Sequence, residues 1–302
     1  MQTHPIDFHP PAEEAAPYLL PVTATLFAER ADRFATLAIG HSLGDWLNFL
    51  GQLSRAQHEV LKSLPKIPQP DATTLEQARA HGMPPLNANS LPRPAAWRDA
   101  LRQLAQRLDD DAPEAAQAIL KTLLAANDEQ LEQLADSLLN GEPTAEQAAQ
   151  HPFVAAALQI VFTAQASQLD ARHLQALDAH GVCPCCGSLP VASVVRLGAA
   201  INNLRYLHCS LCNTEWNVPR ATCTACDTDK GVALHELEGS KGLVRAETCD
   251  SCKSYLKIIY QEKDPRVDPV ADDLATLALD MLVDEAGYAR SGPNLLLIGA
   301  HA

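Results

Sequence analysis

Eight of the nine cysteines fall into four C-x-x-C pairs: Cys183/Cys186, Cys209/Cys212, Cys223/Cys226 and Cys249/Cys252. The pairs form two copies of one unit, C-x2-C-x22-C-x2-C, the second displaced by 40 residues (223 minus 183). An offset that carries all four cysteines of one unit onto the next marks a duplicated module, and each copy is expected to close around its own ion. Cysteines two apart suit this chemistry because a tight turn aims both sulfurs at one point while its N–H groups donate to the thiolates. Two such turns complete a tetrahedron. Thiolate sets select zinc or iron over harder ions, and a filled four-sulfur shell leaves no position for water or substrate. The chemistry is therefore structural or electron-transferring, not hydrolytic. Metal binding on the order of 10 to 16 kcal/mol would offset the small cores of such short modules, so this region should be unfolded without metal.

Other readings of the cysteines are weaker. Disulfides would suit an oxidising compartment, but Met1 to Pro10 has no basic head followed by an apolar stretch. A thioredoxin-type redox pair needs a βαβ setting that a fourfold repeat does not supply. Interleaved pairing, with Cys209/Cys212 joining Cys223/Cys226, stays open beside the sequential pairing that the repeat favours. The ninth cysteine, Cys185, lies inside the first pair, where the second copy has Ala225. It reads as a bystander thiol or as an alternative ligand and redox-sensitive neighbour of the metal.

The elements that must position these groups divide the chain into four segments: a helical domain over 1–180, a first four-cysteine module over 181–218, a second over 219–266, and a C-terminal helix and tail over 267–302. The first segment is rich in Ala, Leu, Gln and Glu. Apolar residues recur there at helical spacing: Leu43, Trp46, Leu47, Leu50 and Leu53, then Leu101, Leu104 and Leu108, then Ile119, Leu120, Leu123 and Leu124. These stripes read as core. Two Pro-rich breaks, Pro65–Pro70 and Pro84–Pro94, read as linkers or ordered loops, and a helical stretch over 151–180 leads into the first module. Short β-like runs follow at 191–197, 203–208, 232–237 and 243–247. Beyond them one helix is expected, capped by Asp268, started by Pro269, presenting Val270, Leu274, Leu277 and Met281 on one face and ended by Gly287.

The formal charge of −14 over 302 residues argues against a general affinity for nucleic acid or anionic membrane. From Cys183 to Arg266 there are ten Lys/Arg against nine Asp/Glu, so the modules lack the basic surplus of nucleic-acid-binding zinc ribbons. No apolar run approaches the roughly 20 residues a membrane span needs. A soluble, intracellular protein of more than one domain is expected. Neither a phosphate loop, nor H-E-x-x-H, nor a nucleophile elbow is found, so no catalytic residue is assigned. Asp272 and Asp273, a conceivable carboxylate pair, read as helix-start acids facing the dipole and solvent. His208 reads as a donor to a metal ligand or as a solvated residue, and Trp216 as packing for the module before it reads as an anchor for a partner.

Several longer stretches are more specific than any cysteine pair. Arg205 to Trp216 (RYLHCSLCNTEW), Glu247 to Lys257 (ETCDSCKSYLK), the run from Ala271 through Asp280, Gly82-Met83-Pro84-Pro85-Leu86 with Leu91-Pro92-Arg93 and Trp97, and the segment from Gly292 closely resemble the FdhE family along the whole chain. The resemblance implies a cytoplasmic accessory protein with no turnover of its own. Such a protein is needed for assembly of respiratory formate dehydrogenases exported by the twin-arginine route, and binds their catalytic subunit before export. It further implies rubredoxin-like sites, with Cys183, Cys186, Cys209 and Cys212 in one and Cys223, Cys226, Cys249 and Cys252 in the other, holding two metal ions. Spacing does not choose between iron and zinc; the resemblance favours iron. A zinc-ribbon nucleic-acid module and a rubredoxin-like electron carrier are the alternatives. Self-association into an oligomer stays open.

Overall fold

A computed structural model of the chain describes residues 15–108, 112–142, 144–198 and 201–297; Met1 to Pro10 lies outside them. A two-residue strand, β1 (Tyr18–Leu19), precedes seven helices: α1 (Leu26–Ala38), α2 (Gly44–Ser63), α3 (Ala72–Ala80), α4 (Ala96–Leu108), α5 (Glu114–Ala125), α6 (Asp128–Leu139) and α7 (His151–Ala166). The leucine stripes face the core as their spacing requires: Leu47, Leu50 and Leu53 on α2, Leu101, Leu104 and Leu108 on α4, and Leu120 and Leu123 on α5 are buried. Leu43 and Leu124, at the margins of those stripes, are exposed.

Helix α7 differs in kind. Every residue from Phe153 through Ala166 is buried, and a helix apolar on all sides belongs at the centre of a molecule. It packs on α2, α4 and α6 and, beyond His151 at its start, carries the polar side chains of Gln159, Thr163 and Gln165 inside the core. Each finds a partner across an interface, as buried polar groups require: Gln159 donates to the Ser210 carbonyl at 2.8 Å, Thr163 accepts from Asn213 at 2.8 Å, and Gln165 donates to the Pro68 carbonyl at 2.8 Å.

Beyond α7 the chain forms β2 (Pro190–Val195), β3 (Arg205–Cys209), β4 (Glu215–Val218), β5 (Val232–His235), β6 (Val244–Cys249) and β7 (Ser254–Tyr260), then α8 (Pro269–Leu274), α9 (Leu277–Glu285) and β8 (Ala289–Arg290). The strands order as β1-β4-β3-β2-β7-β6-β5, with β8 beside β7. Each module is an antiparallel meander, and the two are joined by parallel pairing of β2 with β7, Ser193 opposite Ile258 through Val195 opposite Tyr260. The modules therefore share one sheet.

The expected single C-terminal helix is broken. Asp268 caps it, accepting from the backbone N–H of Val270 and Ala271, and Val270 and Leu274 are buried, but the helix stops at Leu274 and restarts at Leu277. Lys257, reaching from β7, donates to the carbonyls of Asp273 at 2.8 Å and Thr276 at 3.1 Å. A buried ammonium that satisfies terminal carbonyls allows the helix to end there. The restart rotates the apolar face, so Leu279 and Val283 are buried while Met281 is 66% exposed.

Asp272 and Asp273 are likewise not solvated helix-start acids. Asp272 pairs with Arg33 of α1 at 2.5 Å, and Asp273 with Arg290 at 2.7 Å and Lys257 at 3.2 Å, all with little or no exposure. Together with Arg30 on Asp268 at 3.1 Å, these pairs lock α8 between the sheet and α1.

Candidate metal centres

The residue after the second cysteine of every pair has left-handed backbone: Gly187 (φ 82°), Asn213 (φ 58°), Asp227 (φ 57°) and Lys253 (φ 53°). This conformation turns the chain back on itself, and it recurs at the same 40-residue offset as the cysteines. The supporting hydrogen bonds recur too. Gly187 N–H donates to Cys183 O and Asp227 N–H to Cys223 O, both at 2.9 Å, while Cys183 N–H reaches Ser188 O at 2.9 Å and Cys223 N–H reaches Thr228 O at 2.8 Å. Duplication is thus visible in backbone geometry as well as in spacing.

The turns bring Cys183, Cys186, Cys209 and Cys212 together, and separately Cys223, Cys226, Cys249 and Cys252, with the sulfurs of each set within 4.8 Å of one another. Pairing is sequential, and the interleaved arrangement does not form. In the first set Cys183 and Cys212 sulfurs are 3.6 Å apart and Cys186 and Cys209 sulfurs 3.4 Å; in the second, Cys223–Cys252 and Cys226–Cys249 are each 3.7 Å. A disulfide brings its sulfurs to about 2.05 Å, whereas metal–sulfur bonds of about 2.3 Å in a tetrahedron set an edge of about 3.8 Å. Both sets have the spacing of a four-thiolate metal site.

The surroundings suit thiolates. Leu211 and Cys212 N–H groups donate to Cys209 Sγ, each at 3.4 Å. Burial pushes the Cys183 thiol well above its ordinary pKa, so four anionic sulfurs in this interior need a cation to offset them. Thr214 Oγ1 stands 3.2 Å from Cys212 Sγ and Ser254 Oγ 3.0 Å from Cys252 Sγ. A hydroxyl two residues past the last cysteine, within hydrogen-bond reach of its sulfur, is thus part of the repeated unit. The shared C-x2-C-x-[ST] spacing in the sequence is the signal that would have found it.

Cys185 is outside both clusters. It is fully buried, and Cys212 together with burial pushes its thiol well above the ordinary range. Burial closes it off from oxidants in solvent. His208 is neither solvated nor bonded to a sulfur: its Nδ1 meets Glu215 at 2.7 Å and its Nε2 meets Asn213 at 3.1 Å. Through Asn213, which also accepts from Arg30 at 2.8 Å, it braces the turn that carries Cys212. Trp216 is packed, its indole N–H donating to the His180 carbonyl at 2.8 Å.

The two centres differ in cover. The Pro-rich segment before α4 is an ordered loop, and its Leu86 and Ala88 N–H groups donate to Cys185 O and Cys186 O, both at 2.9 Å. With Gln159 on Ser210, this loop seals the first centre under the helical half. In the second centre Cys226 and Cys252 are exposed.

Three family profiles match the chain in sequence: FdhE N-terminal over residues 15–179, FdhE central domain over 182–220 and FdhE C-terminal domain over 221–297. The chain belongs to the FdhE family. It is 41% identical over 290 residues to a protein FdhE homolog of Serratia proteamaculans, covering 95% of this chain and 92% of that one. To protein FdhE of Salmonella arizonae it is 38% identical, with the same coverage. The crystal structure of the FdhE protein from Pseudomonas aeruginosa superposes with a TM-score of 0.85 at 39% identity, covering 93% of this chain and 98% of that chain. The profile boundaries at 179/182 and 220/221 fall immediately before the first cysteine pair of each module. Among the described residues, no helix is long and apolar enough to cross a membrane.

Proposed function

We propose that this chain is a cytoplasmic, metal-binding accessory protein in the assembly of respiratory formate dehydrogenase, contacting the catalytic subunit before export and catalysing no reaction itself. The observation that carries the reading is the pair of four-sulfur clusters at the spacing of a tetrahedral ion, in a chain that FdhE profiles match from residue 15 to residue 297. A filled thiolate shell offers no site for turnover, which suits a protein that works by presenting a surface. Cys183, Cys186, Cys209 and Cys212 hold one ion, and Cys223, Cys226, Cys249 and Cys252 the other. Iron is favoured over zinc. When bound, iron supplies a centre whose charge changes by one unit on reduction, a means of altering affinity for a partner.

Anaerobic capture from the native host tests the proposal, using the intact chain beside a variant with Cys209, Cys212, Cys249 and Cys252 changed to Ser. The expected result is recovery of the formate dehydrogenase catalytic subunit and two metal ions with the intact chain, and loss of both with the variant. Recovery of nucleic acid, or of an electron-transfer flavoprotein, in place of the subunit would sink the proposal. A redox titration of the isolated protein that finds no reversible iron couple would remove the redox part alone.

A further inference from the structure

We propose that the two centres divide their labour: the first is a permanent structural site, and the second is an exchange site at which an incoming soft donor, a thiol or a chelator, can reach the ion. The inference rests on the reading that both clusters hold metal, and it goes beyond that reading by assigning them different chemistry.

The difference begins in the repeat itself. Between its paired cysteines the first unit has Pro184-Cys185 and Ser210-Leu211, whereas the second has Thr224-Ala225 and Asp250-Ser251. All four intervening residues of the first unit are buried; Ala225, Asp250 and Ser251 are exposed. The sulfurs follow. No cysteine of the first centre is more than 1% exposed, while in the second Cys223 and Cys249 are buried and Cys226 and Cys252 face solvent. The two outward ligands come one from each pair, so the Cys226–Cys252 edge of the tetrahedron faces solvent and the opposite Cys223–Cys249 edge is anchored.

Cover from the helical half adds to this. Leu86, Ala88, Gln159, Thr163 and Arg30 all hydrogen-bond to the first module's turns or to Asn213 beside them. Among the described residues, the one side chain of the helical segment that hydrogen-bonds to the second module's turns is His180, on Asp227 at 3.2 Å, and both of these side chains are exposed. The Asp250 turn is instead held by Lys253 at 2.7 Å and Tyr288 at 2.8 Å, both near the surface. Opening the first centre would require parting α7 and the 84–88 loop from the sheet; opening the second requires movement of two exposed side chains.

The exchange is a ligand substitution. Each donor atom that bonds to the ion displaces one thiolate, Cys252 or Cys226 first, and each freed sulfur takes up one proton, from the incoming thiol or, with a chelator, from the buffer. The ion keeps its oxidation state.

The full-length chain loaded with two equivalents of zinc, challenged with the chromogenic chelator pyridylazoresorcinol under native conditions, tests this. One ion should leave at least about tenfold faster than the other, because reactivity at sulfur follows exposure. Cys252→Ser should hold one ion and show only the slow phase. On the unaltered chain, brief iodoacetamide treatment with peptide mapping should label Cys226 and Cys252 before any cysteine of the first centre, a measurement that needs no variant to fold. Release of both ions in one phase, a fast phase that survives in Cys252→Ser, or earlier labelling of Cys183, Cys186, Cys209 or Cys212 would overturn the assignment. Uptake of fewer than two ions would instead strike the metal reading itself, and this inference with it.

Discussion

Lys257 carries its ammonium to a position with 1% exposure, between Asp273 at 3.2 Å and Asp280 at 2.5 Å, and Arg290 bonds to the same two carboxylates. Burial opposes the ionised form of Asp273, but Arg290 and Lys257 outweigh it and hold its carboxyl below the usual range. Removing one member of a buried set leaves charge without compensation, at a cost of about 3 to 5 kcal/mol. Asp273→Ala should lower stability by that order in denaturant unfolding, with Arg290 and Lys257 left to share Asp280. Glu215 makes a second test. Burial raises its pKa, yet Arg196 and His208 bring it down from 4.5 to about 2. A depressed carboxylate contributes stability that is complete above its unfolded pKa and lost as pH falls through the folded one, here between 4.5 and about 2. Glu215→Gln should therefore be less stable than the parent by about 3 kcal/mol at neutral pH, and the gap should close as the solution is acidified through that window. A gap independent of pH would show that Glu215 contributes by packing alone.

The elements that matter most to the first centre are not those that carry its ligands. The turns are built from local sequence, with a left-handed residue after each pair, and each could form wherever its cysteines are. What seals them is a loop from the other half of the chain, whose N–H groups complete the carbonyls of Cys185 and Cys186. Ala88→Pro deletes one of these donors and leaves a buried carbonyl unsatisfied, a cost of about 1 to 3 kcal/mol. It should speed release of the slow ion to a chelator by about tenfold or more, with the fast ion unaffected. Equal acceleration of both ions would mean that the loop acts on overall stability and not on the first centre.

At the scale of the whole molecule, α7 serves as a hub: it lies in the helical core and two of its polar side chains, Gln159 and Thr163, meet the first module. Arg30 and Arg33 of α1 extend the same seam to Asp268, Asp272 and Asp264 near the C-terminus. The sheet half thus lacks its own complete core, because one side of it is supplied by helices from 50 to 239 residues away in sequence. A fragment spanning 180–297, even with two metal ions, should fail to unfold as one cooperative unit and should show poorly dispersed amide resonances for β2 and β3. A fragment with native-like dispersion throughout would show that the metal alone supplies what the helices are here held to provide.

The cysteine spacing by itself determined which residues are ligands and that they form a duplicated unit, because a fixed offset carries one set of four onto the next; it favoured sequential pairing, and the folded chain decided it. The leucine stripes likewise determined which faces of α2, α4 and α5 are buried. Tertiary structure alone decided the rest. Lys257 broke the C-terminal helix by taking its carbonyls from 16 residues away (257 to 273), and Arg33 turned Asp272 from an expected surface acid into a buried one across 239 residues. The unequal cover of two nearly identical modules is of the same kind. Local pattern reports what neighbours in sequence can do; which of two equal turns meets the helical half is a matter of long-range packing, and no periodicity records it.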